Sequence, residues 1–539
     1  MIYKISRPVS VLNTSVQLPA SKSISNRLLI IHALSGNAGL PEGLSDSDDT
    51  DVMVRALHGS NDHKGTDGGS SAVSDNTKGI TGAIAGAPSG SERKTGTDSS
   101  KLPVHDIGHA GTSMRFLTAY FSTQKGEVVL TGSPRMKQRP IGPLVDALRS
   151  LGADISYTEK EGFPPLKISG KELEGGEIAI DGGISSQFIS ALLMTAPTMK
   201  RGLRLELQGE VVSASYIKMT LALMRECGAE SLWSGNHIAI PRGKYRHGRY
   251  RVEADWSAAS YWYAMAFLEQ RGRVELTGLR EGSLQGDSAV TEIFGRLGMK
   301  TVFDGEKVIL ERGGEPEKEV QPGEPSQQKN YQDREGLHEK SQEGSGLQEE
   351  SGDGSGLQEK ASSGADHKKG LQSADEKSME NELKDQQKDS EMEKSPGGSG
   401  LAKGVEPSSM FEYDFTNCPD IVQSMAVALC LKEIPFRFTG TQTLKIKETD
   451  RIVALQTEMR KLGYLLEADG AGAWLSWNRK MCTPDAEPVI ATYHDHRMAM
   501  AFAPAAMVRG EILIEDPEVV TKSYPAFWKD LERAGFTIS

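Results

Sequence analysis

The sequence predicts an α/β protein of two domains, built from about six helix-plus-strand units and broken by two disordered insertions. Three observations carry that prediction. An amphipathic helix, a glycine and a short strand recur down the chain. Two long stretches are too polar to pack. Of the 539 residues, about 400 remain once these are removed, the size of two domains.

The first copy of the pattern, Val54-Arg55-Ala56-Leu57, runs into an insertion where its strand should follow. In the second, a helix over 143–151 places Pro143 in its first turn and Gly152 at the left-handed position after its end, ahead of the strand Ala153-Asp154-Ile155. In the third, Tyr216, Thr220, Leu223 and Cys227 share a helical face before Gly228. The fourth sets Val290, Ile293 and Leu297 before Gly298, with Asp287 as the predicted N-cap. Ile452, Leu455, Met459 and Leu462 lead to Gly463, and Phe527, Leu531 and Ala534 to Gly535. With the insertions subtracted the glycines fall about 70 residues apart, too far for the common solenoids.

The insertions are read from composition. Residues from about 59 to 101 are Gly, Ser, Thr, Asp and Lys with almost no large apolar side chain. Those from about 311 to 409 hold no Phe, Trp or Ile and one Tyr, Tyr331, and repeat a Gly-Leu-x-Glu pattern at Gly336, Gly346 and Gly356. So few apolar residues cannot offset an ordering cost of roughly 1–2 kcal/mol per residue. The second stretch carries 23 acidic and 13 basic residues, hence −10 of the formal net charge of −12, and leaves the rest at −2. Bulk charge therefore gives nucleic-acid binding no support. The four cysteines, Cys227, Cys418, Cys430 and Cys482, make no C-x-x-C pair, so neither a disulfide scaffold nor a zinc ribbon is spelled out. The opening residues lack the apolar core of a signal peptide, and no run reaches the roughly 18 apolar residues of a membrane helix. A soluble cytoplasmic protein is expected.

Cations recur with small polar residues in short segments. Ser21-Lys22-Ser23-Ile24-Ser25-Asn26-Arg27 opens an apolar helix, where free N–H groups favour an anion. Gly108-His109-Ala110-Gly111-Thr112-Ser113-Met114-Arg115 repeats that design, and Pro134-Arg135-Met136-Lys137-Gln138-Arg139-Pro140 packs cations between prolines. Ser185-Ser186-Gln187, Lys445-Ile446-Lys447-Glu448-Thr449-Asp450-Arg451, His494-Asp495-His496-Arg497 and Thr521-Lys522-Ser523 complete the set. Singly each reads as solvated surface or a turn. Together they fit a small polyanion bearing phosphate and carboxylate, which Arg binds in pairs of hydrogen bonds and Lys as a point charge. There is no P-loop, no dinucleotide-binding glycine motif and no nucleophile elbow. His494 and His496 do not share a helical face, so no metal is expected. Tyr261-Trp262-Tyr263 reads as core or interface packing.

These segments, in this order, resemble the EPSP synthase (3-phosphoshikimate 1-carboxyvinyltransferase) family over residues 18–525, broken by the insertions. The motifs that carry the resemblance are Leu18-Pro19-Ala20-Ser21-Lys22-Ser23, Ala110-Gly111-Thr112-Ser113-Met114-Arg115, the 134–140 segment, Lys447-Glu448-Thr449-Asp450-Arg451 and Asp495-His496-Arg497-Met498-Ala499-Met500. The resemblance implies an enolpyruvyl transferase fold, with two domains each of three βαβαββ units around buried parallel helices. One domain would span 21–253 and the other 1–20 with 254–539, hinged near Ala20 and Glu253-Ala254-Asp255. It implies a monomer without cofactor that moves the enolpyruvyl group of phosphoenolpyruvate onto the 5-hydroxyl of shikimate 3-phosphate, in aromatic amino-acid biosynthesis.

The resemblance also implies the site. Ser23 and Arg27 would hold the shikimate carboxylate, Ser185, Ser186 and Ser213 its phosphate, with Lys447 near phosphate and hydroxyl and Tyr216 against the ring. Gln187 would lie between the ligands. Lys22, Gly111, Arg139, Arg451, Arg497 and Lys522 would take phosphoenolpyruvate. Asp420 would accept the hydroxyl proton, Glu448 would move the proton at the methylene carbon, and Lys22 would assist. His109, Thr443 and Ala214 depart from the usual pattern, the first two at substrate contacts. Gly111 is kept, which implies sensitivity to glyphosate. Two other readings compete. The sister transferase acting on UDP-N-acetylglucosamine needs a catalytic cysteine in a mobile loop, and none of the four cysteines is so placed. A non-catalytic anion-binding scaffold would have little use for Asp420, Glu448 and Lys22 together.

Overall fold

The computed structural model describes residues 1–36, 40–58, 102–246, 248, 250–269, 271–312 and 410–539. The first predicted insertion lies outside the described residues, as does the second from residue 313 onward. Its predicted start is corrected: Glu311 and Arg312 end a strand, and Glu311 accepts from Arg273 Nη1 at 3.0 Å. Val308, Ile309 and Leu310 bury the middle of that strand, and Glu311 and Arg312 carry it out to solvent.

Strands β1 (Ile2–Ser6) and β2 (Asn13–Gln17) precede α1 (Lys22–Leu34) and α2 (Asp48–His58). Two copies of one unit follow. The first is β3 (Val104–Asp106), α3 (Gly111–Thr123), β4 (Gly126–Thr131), α4 (Gly142–Ser150), β5 (Asp154–Tyr157) and β6 (Leu166–Gly170). The second is β7 (Gly176–Asp181), α5 (Ser186–Thr195), β8 (Leu203–Gln208), α6 (Ala214–Glu226), β9 (Leu232–Ser234) and β10 (His237–Ile240). Next come α7 (Trp256–Leu268), β11 (Arg273–Thr277), α8 (Val290–Arg296), β12 (Met299–Asp304) and β13 (Lys307–Arg312). Then β14 (Phe411–Asp414), α9 (Val422–Leu431), β15 (Phe436–Thr439), α10 (Arg451–Lys461), β16 (Glu467–Ala468) and β17 (Trp474–Trp477) form a further copy. The chain ends with β18 (Val489–Ile490), α11 (His496–Phe502), α12 (Ala506–Arg509), β19 (Glu511–Glu515), α13 (Phe527–Arg533) and β20 (Thr537–Ile538).

The sheets share one plan, a parallel pair extended by an antiparallel hairpin: β3-β4-β6-β5, β7-β8-β10-β9 and β14-β15-β17-β16. The other two borrow a strand from the start of the chain. β2 pairs parallel with β11 ahead of β13 and β12, and β1 lies antiparallel between β19 and β20. Among the described residues the α1–α2 segment has two helices and isolated bridges, Ala20 with Ala254 and Glu42 with Arg251, instead of a sheet. The glycines after the helices take the predicted left-handed backbone, with φ of +101° at Gly152, +83° at Gly228, +86° at Gly298, +101° at Gly463 and +94° at Gly535.

The apolar residues fall into two separate cores. One is drawn from residues 24–252, the other from 5–18 and 254–536, and they define two lobes. Every residue of α7 and of α9 is buried, including Tyr261, Trp262 and Tyr263, because these helices are apolar on all sides. The chain passes between the cores along two adjacent segments: Ser21 N donates to Glu253 O and Asp255 N to Pro19 O. The buried Glu253 carboxylate is satisfied without a cation, accepting from Trp256 Nε1, Ser283 Oγ, Gln285 Nε2 and Arg280 N at 2.7–3.1 Å.

Candidate active site

A cavity of about 320 Å³ opens between the lobes. It is lined by helix starts. Lys22 and Ser23 open α1, Gly111 opens α3, Ser185 caps α5 by accepting from Gln187 N, and Asp450 caps α10 at Arg451. Ser213 precedes α6 in the left-handed region, at φ +58°. Such termini present unpaired N–H groups, so the local fold already favours anions before any side chain is counted.

Of the residues the sequence singled out, Lys22, Ser23, Arg27, Gly111, Arg139, Ser185, Ser186, Gln187, Ser213, Tyr216, Asp420, Lys447, Glu448, Arg451 and Arg497 all line this cavity. Lys522 stands behind the wall, with Nζ 2.8 Å from Glu448 Oε1. Asp420 is the hub. Oδ1 takes Arg451 Nη1 at 3.0 Å and Lys447 Nζ at 3.3 Å, and Oδ2 takes Arg497 Nη2 at 3.0 Å and the Tyr216 hydroxyl at 3.1 Å. Burial pushes its carboxyl up, but Arg497, Lys447 and Arg451 outweigh that and hold it well below the ordinary range. Glu448 is likewise held low against its burial, by Lys522 and Arg451. Arg451, 1% exposed, also binds Asp495 through Nε at 2.7 Å.

Arg27 is buried without a carboxylate. Its guanidinium donates to Thr220 Oγ1 at 2.7 Å and Ser23 O at 2.8 Å, and burial lowers it to about 10. Arg115 is similar. It donates to Gly111 O at 3.1 Å and Pro140 O at 3.2 Å, which ties together the two segments that carry Gly111 and Arg139. A buried cation lacking an anion is costly unless a ligand supplies one or dipoles surround it.

Sequence reasoning passed over several groups. Asp49 holds Lys22 at 3.2 Å, and Asp495 both caps α11 and fixes Arg451. Nothing local in Asp49 signals this, whereas Asp495 stood in a quoted motif without a role. His496 lies buried at the cavity wall with neither ring nitrogen hydrogen-bonded, its Nδ1 3.8 Å from Asp495 Oδ1. Burial, then Lys22, Arg497 and Lys522, depress its pKa well below the usual value. Asp287 is a correction. A short 3₁₀ turn over Gly286–Ala289 precedes α8, so Asp287 lies inside that turn and does not cap the helix. It lines the cavity, buried, with Oδ1 unpartnered, and burial and then Asp420 push it up to about 8. Thr443 Oγ1 is also buried and unpartnered at the cavity wall, whereas His109 Nδ1 is engaged with Ser133 Oγ at 3.0 Å.

Two lobes of repeated mixed sheets around a cavity rich in cations, with carboxylates set among them, define a class of protein built to hold small polyanions. The comparisons agree. The model of the family EPSP synthase (3-phosphoshikimate 1-carboxyvinyltransferase) matches residues 6–322 and 364–531. The 3-phosphoshikimate 1-carboxyvinyltransferase of Bacteroides fragilis is 40% identical over all of this chain and 99% of its own length, and that of Serratia proteamaculans 30% identical over 98% and 97%. The solved EPSP synthase of Acinetobacter baumannii superposes over the full length of both chains with a TM-score of 0.61 at 17% identity, which speaks to the fold alone. The chain belongs to the EPSP synthase family.

Proposed function

We propose that Asp420 and Glu448 are the acid/base pair, and the surrounding cations the substrate cradle, of the reaction this family carries out. The chain transfers the enolpyruvyl group of phosphoenolpyruvate to the 5-hydroxyl of shikimate 3-phosphate and releases phosphate, a step of aromatic amino-acid biosynthesis. Addition to the enol carbon followed by elimination requires proton transfers at oxygen and at carbon. The observation that carries the assignment is the ring of cations and the Tyr216 hydroxyl around Asp420.

That ring keeps Asp420 ionised but a poor base. The two substrates bring about six negative charges near neutral pH. As Arg451, Arg497 and Lys447 turn to them, Asp420 loses partners and gains basicity when the hydroxyl arrives. Ser23 and Arg27 take the shikimate carboxylate, and Ser185, Ser186 and Ser213 its phosphate. Gln187 lies between the ligands, its Nε2 steadied by Thr112 Oγ1 at 3.1 Å. Lys22, Gly111, Arg139, Arg451, Arg497 and Lys522 take phosphoenolpyruvate. Thr443 offers its unpartnered hydroxyl to a ring hydroxyl.

We also infer a hinged pair of domains, 21–253 and 1–20 with 254–539. The two separate cores and the adjacent crossing segments support this. Closure would expel water and strengthen the charge contacts. We further infer a cytoplasmic monomer; the four cysteines are all unpaired, as a reducing compartment would leave them.

Phosphate release tests the assignment. It should require both substrates and vanish when either is omitted; release from phosphoenolpyruvate alone would refute it. A second result is expected at Gly111, where an added Cβ would lie 2.6 Å from Arg139 Nη1. Gly111→Ala should displace that guanidinium and raise KM for phosphoenolpyruvate about tenfold, the weight of one charged hydrogen bond, with KM for shikimate 3-phosphate little changed. The same methyl should reduce inhibition by glyphosate. Equal KM values in variant and parent would show that Arg139 does not hold that substrate.

A further inference from the structure

Two hydrogen bonds cross from lobe to lobe beside the cavity without belonging to it. Ser215 Oγ, at the start of α6, donates to Asn417 O at 2.6 Å. Thr521 Oγ1 donates to Asp48 Oδ2, in the first turn of α2, at 2.7 Å. Each partner is placed close in sequence to a group of the site. Ser215 adjoins Tyr216, and Asn417 lies three residues before Asp420, to which Tyr216 bonds at 3.1 Å. Asp48 adjoins Asp49, which holds Lys22, and Thr521 adjoins Lys522, which holds Glu448. The first contact has no slack, because a side chain at Gly286 would overlap both Asn417 O and Ser215 Oγ. A third pair, Arg251 with Glu306 at 3.0 Å, is solvent-exposed at both ends and lies by the crossing segments, away from the cavity.

We propose that Ser215–Asn417 and Asp48–Thr521 are paired closure latches, positioning residues whose hydrogen bonds form only when the lobes meet. One seats Tyr216 against Asp420, and the other brings the Lys522–Glu448 pair up to Lys22. The proposal rests on the site assignment above. A latch of this kind acts on the closed population, so its loss lowers apparent affinity for both substrates and leaves the saturated, closed complex intact.

The test uses the full chain with Ser215→Ala, Thr521→Val and Thr521→Ser. Steady-state kcat and KM for both substrates, the melting temperature of the free protein, and the radius of gyration by small-angle scattering with and without shikimate 3-phosphate are measured. Ser215→Ala and Thr521→Val should each raise both KM values about fivefold, the weight of one net hydrogen bond, with kcat nearly constant. Compaction at subsaturating ligand should be smaller, the melting temperature unchanged, and Thr521→Ser, which keeps the hydroxyl, close to the parent. Unchanged KM values and compaction, or a Thr521→Ser variant as impaired as Thr521→Val, would overturn the latches. Failure of the site assignment would show elsewhere, as full turnover in Asp420→Ala, whatever the latch variants do.

Discussion

Asp420→Ala should lower kcat by about 10²–10⁴, the usual contribution of a positioned general base. The protein should still fold. Arg451 keeps Glu448 and Asp495, and Lys447 can turn to solvent. Arg497 loses its carboxylate but keeps a contact to the Asp420 carbonyl at 3.1 Å. The loss should therefore appear in turnover while the melting temperature moves little. Asp420→Asn keeps the shape and removes the basicity, and should fall with the alanine variant. A turnover near that of the parent in either variant would remove Asp420 from the proton transfer.

Arg451 is expected to give the largest combined effect on stability and activity. Its guanidinium serves Asp420, Glu448 and Asp495 at once while almost fully buried. Arg451→Met leaves the buried Asp495 and the half-buried Asp420 and Glu448 short of a partner, a cost of about 3–5 kcal/mol. Arg451→Lys keeps the charge and loses the fork, since one ammonium cannot face three carboxylates in different directions. Its kcat/KM for phosphoenolpyruvate should fall about 10–100-fold. The acid limb adds a sign that can be checked. Asp420 and Glu448 titrate well below their ordinary range in the folded chain. The stability they contribute is therefore present above the unfolded carboxylate value near 4 and is lost as pH falls through the folded values. Removing Arg451 lets those values rise, so the acid unfolding midpoint should move to higher pH in Arg451→Met. An unmoved midpoint would mean that the arginine is not what holds these carboxylates ionised.

Much of the site could be read in one dimension because it is built at helix starts. Lys22 and Ser23, Ser185 to Gln187, and the Lys447–Arg451 segment each place their groups by spacing of a few residues from a terminus. The helix-glycine-strand repeat was legible for the same reason, since a left-handed turn after a helix is a local demand that glycine meets at Gly152 and its counterparts. Asp287 shows the limit of that reading. An extra 3₁₀ turn, which spacing does not reveal, moved the residue from a predicted cap to the cavity wall.

The sequence by itself determined that cations and small polar groups gather at helix starts, that glycines follow the helices, and that two polar stretches interrupt a repeated α/β pattern. Tertiary structure alone decided the pairings that set their chemistry. Asp49 with Lys22, Asp495 with Arg451, Tyr216 with Asp420, and β1 inserted between β19 and β20 join residues tens to hundreds of positions apart. The physical reason is the reach of the forces. Propensity, capping and turn chemistry act within a few residues, while the ionisation of a buried carboxylate depends on whichever cations the packed lobes bring within a few ångströms.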